Sequence, residues 1–497
     1  MSLILAYQKI LSAWVEGRLE NVLQRQKELS SLHAIIKREK PALINALRQD
    51  LYTTEASASD EVISSLNAIN QLYEELSFPA TLAKERSIQA GKNAPTNLVP
   101  LGPVLILASP HCPLSSIIIP LAAAIAAGSC SLVVLNTTSL HTNEKLRKII
   151  DTSLDQEAIG VAPEGKSWDN AELCSLCFGV AVLQNLESSS DVAASLRIVN
   201  PAIRIHAPSS GHPAVFVDRS TPDLEAVASI IADHVIQAPR KHTGRIPRIC
   251  FVDEFIIDAL AQMVHQILSE RHTEQLNQVE SSELTQLIGN MFRISQQSTF
   301  TSPGSNDIAN LIVVNKTSNV TVDTVTKVAG TLTSHCQGAL FIPTTSLDHG
   351  IDIWNKLNGG NASQATYIFA ASRESFYLSH FLNSDHFFVN HIPSDTYGIV
   401  APSSQYDSSE LPFRREAFSI NKSILQKPLH HAGTNNGSKV TAITSQLGYL
   451  NLNKIRQSAG GSMSYFEQGL IVGLASTVIS LFAVSYVAFQ GLKLLFH

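Results

Sequence analysis

The chain has 497 residues, 44% hydrophobic and 16% charged, with a formal net charge of -6 at pH 7. This balance predicts an ordered, compact protein of two or three domains with at least one large core, and excludes a disordered chain. The acidic charge, with no cluster of Lys or Arg, excludes a nucleic-acid-binding face. Six scattered cysteines exclude the dense disulfide framework of a small secreted domain.

The opening segment, MSLILAYQKILSAWVEGR, has no basic stretch, no sustained apolar run and no small-residue cleavage site, so it does not read as a signal peptide. To about Leu76 the pattern is that of amphipathic helices. Leu19, Val22 and Leu23 are expected on one face, and Leu43, Ile44, Leu47 and Leu51 form an apolar stripe. Phe78 to Pro103, with Pro79, Pro95 and Pro100, reads as extended connecting structure. Between Lys92 and His141 there is no Lys, Arg, Asp or Glu. Pro120 and the Gly128–Ser131 break divide this run into a strand (Val104 to Ala108), a buried helix (Leu114 to Ala127) and a second strand (Leu132 to Leu135). Such a unit is the core of a parallel sheet covered on both faces.

A helix follows at Thr142 to Leu154, then strands at Ile203 to Ile205 and Ala214 to Val217 and a helix at Asp223 to Gln237. A strand at Ile249 to Val252 and a helix at Ile256 to Glu270 continue the alternation. Later strands are predicted at Ile308 to Val314, Ala339 to Pro343, Ala365 to Ala370 and Phe387 to Asn390. This order predicts parallel sheets in an α/β architecture. Cys174 and Cys177 form a lone C-x-x-C with no second pair, and His430-His431 stands alone in a polar stretch, so no metal site is expected.

From Leu429 to Ser464 the composition shifts to Gly, Ser, Asn and Thr and reads as a linker. No charged residue occurs from Gln468 to Leu492, and Gly469 to Phe489 is long enough to cross a hydrocarbon core of roughly 30 Å. Tyr465, Phe466 and Tyr486 fall near the two interfaces, with Glu467 and Lys493 outside. The expectation is a single-pass C-terminal anchor in the endoplasmic reticulum or another organelle membrane, with the body facing the cytosol. The sequons at Asn315, Asn319 and Asn421 would then be unused.

LVPLGPVLILASPHCPLSSIIIPLAAAIAAGSCSLVVLNTTSLHTNEKLRKII, residues 98–150, resembles the aldehyde dehydrogenase superfamily. It follows that family's proline-flanked strand, W-N-x-P turn, buried helix and K-P-S-E strand end. RLENVLQRQKELSSLHAIIKREKPALINALRQDL resembles the N-terminal helices, and HPAVFVDRSTPDLEAVASIIADHVI the strand and helix that lead to the nucleophile. FFVNHIPSD and LPFRREAFSINKSILQKP resemble the late strand and closing segment. The hydrophobic tail points to the class 3-like, fatty-aldehyde branch. The resemblance implies N-terminal helices with a Rossmann-like cofactor domain over 1–204, within which 78–101 joins a strand bridge for dimerisation. It further implies a catalytic-type α/β domain over 205–395 and a closing bridge segment over 396–428. A linker over 429–464 and a transmembrane helix over 465–493 complete the expected order.

The family reaction needs a thiolate nucleophile, a carboxylate base, an oxyanion amide and NAD or NADP. By resemblance the nucleophile position is Gly244, in Lys241-His242-Thr243-Gly244, and the base position is Ala207, in Ala207-Pro208-Ser209-Ser210-Gly211. Neither side chain can perform the step. The oxyanion position is His111, which can donate a hydrogen bond. Cys250 and Cys112 are the alternative thiols, both flanked by apolar residues. The ribose-binding K-P-S-E becomes Asn136-Thr137-Thr138-Ser139, and the second ribose carboxylate becomes His335. The glycine-rich diphosphate turn becomes Gln184-Asn185-Leu186-Glu187-Ser188, where Leu and Glu obstruct and repel. The leading expectation is therefore an inactive homologue without a cofactor, acting as a homodimer or as a heterodimer with an active relative. An active NAD(P)-dependent oxidoreductase on apolar aldehydes and a carrier of an apolar ligand are the alternatives.

Overall fold

A computed structural model describes residues 2–51, 55–91, 98–163, 170–184, 189–237, 247–271, 292–294, 309–314, 337–392, 411–422 and 465–495. The chain divides into a unit of residues 1–424 and a unit of residues 425–497. The predicted sites Gly244, His335 and His430-His431 lie outside the described residues, as do residues 185–188 of the diphosphate turn and the linker at 429–464.

The first unit begins with helices α1 (Leu3–Val15), α2 (Val22–Leu51), α3 (Glu55–Glu74) and α4 (Phe78–Gln89). α2 is continuous through Pro41. Its apolar stripe is as expected: Leu43 and Leu47 are buried, and Ile44 and Leu51 pack against the same core. Leu23 departs from expectation, being 49% exposed where Leu19 and Val22 are buried. α2 starts only at Val22, and one residue further along it turns by about 100°.

The prediction of extended structure for Phe78 to Pro103 is corrected over residues 78–89, which form α4. Ser77 caps that helix by accepting from Ala80 N (3.3 Å), and Pro79 occupies its first turn. A proline there costs no hydrogen bond, because first-turn amides have no intrahelical partner. Pro100 does stand in extended chain, at the end of β1 (Leu98–Pro100).

A five-stranded parallel sheet follows in the order β4-β3-β2-β5-β6, from β2 (Val104–Leu107), β3 (Ser131–Val134), β4 (Ile159–Val161), β5 (Val180–Leu183) and β6 (Arg204–His206). α5 (Ser115–Ala127) lies wholly buried beneath it, which explains why its sequence has no polar face. The helix ends at Gly128, whose φ of 94° needs no Cβ, and Arg25 fills the space one would occupy. α6 (Leu140–Ser153), α7 (Asn170–Cys174) and α8 (Ser189–Val199) complete this layer.

A seven-stranded sheet has the order β13-β12-β7-β8-β11-β10-β9. Its strands are β7 (Ala214–Val217), β8 (Ile249–Asp253), β9 (Phe292–Ile294), β10 (Ala309–Val314), β11 (Gln337–Thr344), β12 (Thr366–Phe369) and β13 (Phe387–Val389). All neighbours are parallel except the β9–β10 pair. Helices α9 (Leu224–Gln237), α10 (Ile257–Arg271), α11 (Leu347–Asn358) and α12 (Ser372–Phe381) accompany it. The buried side chains of β7, β8, β11 and β12 alternate between two clusters, one on each face. The closing segment returns to the first sheet's core through Phe413 and Phe418, and β14 (Ser419–Asn421) pairs antiparallel with β1.

In the second unit a helix, α13, runs Tyr465–Leu495. Its side chains are described at residues 469–483 and 485, and all are exposed. Among the described residues no helix is long and apolar enough to cross a membrane.

Candidate functional site

In open parallel sheets, ligands bind beyond the carboxyl ends of strands, where the strand order reverses. In the five-stranded sheet that point lies between β2 and β5. Ser109–Pro113 follows β2 and Gln184 follows β5. The Ser109–Pro113 turn is closed by its own bonds: Ser109 N donates to Ser116 Oγ (3.0 Å) and His111 N to Ser109 Oγ (3.2 Å). Ser116 N donates to the Cys112 carbonyl (3.0 Å). His111 is half-buried here, beside a buried Cys112.

Asn136, just past β3, spends its side chain on its own turn. Its Oδ1 accepts from Ser139 N (2.8 Å), Thr138 N (3.0 Å) and Thr138 Oγ1 (3.1 Å), while Nδ2 donates to the Ser109 carbonyl (3.3 Å). Ser139 is the residue preceding α6 and is buried, and its hydroxyl makes no capping bond. The first amides of α6 are already taken, since His141 N and Thr142 N donate to the Asp50 carboxylate at 3.1 and 2.7 Å. α8, the helix after β5, carries the exposed carboxylate of Asp191 in its first turn.

The second half of the candidate site is the amino edge of the seven-stranded sheet. β7 and β8 are parallel neighbours, with Ala214 opposite Ile249. Ala207 lies in the segment that leads into β7 at this edge. Ala207 follows β6 directly and packs half-buried against the first core. The rest of its loop is fastened to the second sheet. Ser209 Oγ donates to Asp385 Oδ2 (2.6 Å), Gln364 Nε2 donates to the Ser209 carbonyl (3.1 Å), and Gly211 N donates to the Ala362 carbonyl (2.9 Å). A Cβ at Gly211 would stand 2.6 Å from that carbonyl oxygen, so the strands approach this closely only with glycine.

Cys250 lies within β8, paired with Val215 on one side and Phe341 on the other, and is buried. Burial raises its thiol pKa, which keeps it protonated and unreactive. Cys174 is buried and Cys177 exposed, and both are free thiols. Among the described residues there is no group of three or more His, Cys, Asp or Glu that could hold a metal.

Sequence reasoning did not single out three histidines. His206 Nε2 donates to the Ala417 carbonyl (3.1 Å), His212 N donates to Asn358 Oδ1 (2.7 Å), and His386 is buried beside Asp385. Burial lowers the pKa of His206 and of His212, favouring their neutral forms. Ser209 and Asp385 are also new. They lie 176 residues apart in short polar turns, and no local pattern joins them.

The architecture has solved counterparts. A substrate-bound AldH from Staphylococcus aureus superimposes with a TM-score of 0.67, covering 90% of this chain and 100% of that one at 15% identity. The fold is aldehyde dehydrogenase-like. A similar match, with a TM-score of 0.61 at 12% identity, covers 84% of this chain and 89% of the NADP-dependent glyceraldehyde-3-phosphate dehydrogenase of Bacillus halodurans, solved with NADP. At these identities the likeness is one of fold. In sequence, residues 8–183 match the Aldehyde dehydrogenase family. Aldehyde dehydrogenase family 3 member B1 of Bos taurus is 31% identical over 166 residues, 32% of this chain and 34% of that protein. Member A2 of the same family, from Macaca fascicularis, is 29% identical over 153 residues, 30% of this chain and 32% of that protein. The chain thus spans about a third of the length of the curated relatives it matches.

Proposed function

We propose that this aldehyde dehydrogenase-like protein is a catalytically inactive homologue, held at a membrane by its C-terminal helix and acting through protein contacts. Pairing with itself or with an active relative is the contact the reading favours. The observation that carries it is the loop Ala207–Gly211, which bears no carboxylate and is fastened into the second sheet through Ser209 and Asp385. The carboxylate that reaches this loop, Asp385, is occupied in accepting from Ser209. Cys250, with a raised pKa inside a central strand, supports the same reading, because a thiolate must be exposed to attack an aldehyde.

The groups described at the carboxyl edge of the first sheet do not fit a dinucleotide. Asn136 is committed to its own turn, Asp50 occupies the first amides of α6, and Asp191 places negative charge where a diphosphate would need positive potential.

The anchor reading rests on sequence alone: Gln468 to Leu492 carries no charge, and an uncharged run of that length is what a hydrocarbon core of roughly 30 Å requires. The test of inactivity is turnover. Purified full-length chain, given a long-chain aldehyde with NAD+ or NADP+, is expected to produce no reduced cofactor above a protein-free control. Turnover abolished by Cys250→Ala or Cys112→Ala would overturn the reading in favour of an altered but active dehydrogenase.

A further inference from the structure

The carbonyl of Ala417, in the closing segment, accepts two hydrogen bonds from one face of β6. Arg204 Nη1 donates to it at 3.1 Å and His206 Nε2 at 3.1 Å. Residues two apart on a strand point the same way, so the guanidinium and the imidazole meet that oxygen side by side. Arg204 also holds the carbonyls of Glu416 and Ser419, and it stays charged at any pH compatible with folding. Of the two donors, only His206 changes charge near neutrality.

With Nε2 donating, the neutral ring has its lone pair on Nδ1, and a second proton would go there. Among the described residues Nδ1 has no hydrogen-bond partner, and the ring lies 5.9 Å from Phe413 and 6.2 Å from Phe418, both fully buried. The surrounding charges do not favour an imidazolium either. Arg204 flanks it on β6, the closing segment brings Arg414, Arg415 and Glu416, and Arg25 of α2 lies near Arg415. Glu416, the carboxylate of this set, is in an ion pair with Arg415 at 3.2 Å. α5, which packs on the Arg415–Phe418 turn, and β5, whose Val182 pairs with His206, contribute no charge. Burial lowers the His206 pKa most, the Ala417 carbonyl opposes that shift and Arg204 adds to it.

Freed from the closing segment, the imidazole regains water and its ordinary pKa of about 6.5. A base whose folded pKa lies below its unfolded value costs nothing above the unfolded pKa. It weakens the folded contact as pH falls through that value towards the folded one. The segment so weakened carries Phe418, whose carbonyl accepts from Leu101 N (3.0 Å), and leads into β14. β14 and β1 form a two-stranded sheet of their own, so opening would bare the backbone edges of both.

We propose that His206 and the Ala417 carbonyl form a pH-sensitive latch, closed near neutrality and loosened by acid, that controls whether β14 stays paired with β1. The latch depends neither on the missing dehydrogenase chemistry nor on a membrane.

Hydrogen exchange of the full-length chain at pH 7.5 and 5.5, corrected for the intrinsic pH dependence of amide exchange, tests it. At pH 5.5 a free imidazole is about ten parts protonated to one neutral, so protection at Leu101 and Ile420 is expected to fall roughly five- to tenfold while β3 stays protected. His206→Gln keeps an amide donor for Ala417 and cannot titrate, and it is expected to lose less than about twofold. An unchanged parent, or an equal fall in the variant, overturns the latch. The isotope-labelled imidazole of His206 in the parent gives a check that needs no variant. Its chemical shift is expected to titrate below about 6.5, and a midpoint at or above that value would also overturn the proposal.

Discussion

Glu61 on α3 places Oε1 3.0 Å from the backbone N of Ser115 at the start of α5, and the same oxygen accepts from Leu114 N (3.0 Å) and Ser115 Oγ (3.1 Å). The first amides of a helix have no partner within it, and α5 is too deeply buried for water to serve them. A carboxylate satisfies them and opposes the positive end of the helix dipole. Asp50 repeats the device at α6, while Glu28 on α2 accepts through Oε2 from Asp155 N (3.0 Å), just past the end of α6. These helices therefore hold the first sheet in place by charge as well as by packing.

Glu61→Ala is accordingly expected to destabilise the first unit by about 1–3 kcal/mol, the cost of leaving buried amides unpaired. Glu61→Gln, which keeps an acceptor oxygen, is expected to cost less. Denaturant unfolding of the two variants beside the parent chain checks the order. Equal stability of all three would mean that the cap contributes nothing.

Glu28 predicts an opposite sign. It is buried in α2, and desolvation raises its pKa, with the Asp155 carboxylate adding to the rise and the Asp155 amide opposing it. A carboxyl whose folded pKa lies above its unfolded value favours folding most below the unfolded pKa, and that contribution is lost as pH rises through the folded pKa. Glu28→Gln keeps the oxygen that accepts from Asp155 N and removes the charge. The variant is expected to melt at or above the parent temperature at pH 7, the gap narrowing below about pH 4.5. A melting point lower than the parent's at pH 7 would contradict this.

Arg204 ties the closing segment to the first sheet. Its Nη1 donates to the carbonyls of Glu416, Ala417 and Ser419 at 2.9, 3.1 and 2.9 Å, and these residues lead directly into β14. Arg204→Ala removes a charged donor from three carbonyls, at a cost of about 1.5–3 kcal/mol. Hydrogen exchange should then rise at Ile420 and Leu101 while β3 stays protected. Exchange unchanged at β14 would show that Phe413 and Phe418 hold the segment unaided.

The thiols give a prediction that bears on reactivity. Cys112, Cys130, Cys174 and Cys250 are buried, and Cys177 is exposed. Burial pushes the Cys130 thiol up to about 12 and raises Cys174 and Cys250 as well. Among these five, iodoacetamide at pH 8 is expected to label Cys177 in the folded protein and the other four only on unfolding. Labelling of Cys250 as fast as Cys177 would indicate an accessible nucleophile.

The alternation of apolar runs made both parallel sheets legible, because strands buried on two faces leave an uninterrupted Val, Ile and Leu signal at β2, β3, β7, β8 and β12. The wholly buried α5 was legible for the same reason. α4 was missed because Pro79 reads as a breaker when its place in a first turn is unknown. At the candidate site, sequence pointed to Ala207, His111 and Asn136 only through the family resemblance. It could not reveal that Ser209 meets Asp385, or that Asp50 covers the start of α6, since such pairings form only once the chain has folded.

The central claim is that this fold persists without dehydrogenase chemistry, and it reaches first to the cofactor. Calorimetric titration of the full-length chain with NAD+ and with NADP+ tests it most directly. No saturable heat up to about 1 mM cofactor, a limit of roughly 4 kcal/mol of binding free energy, is the expected result. Saturable binding in the micromolar range to either cofactor would contradict it.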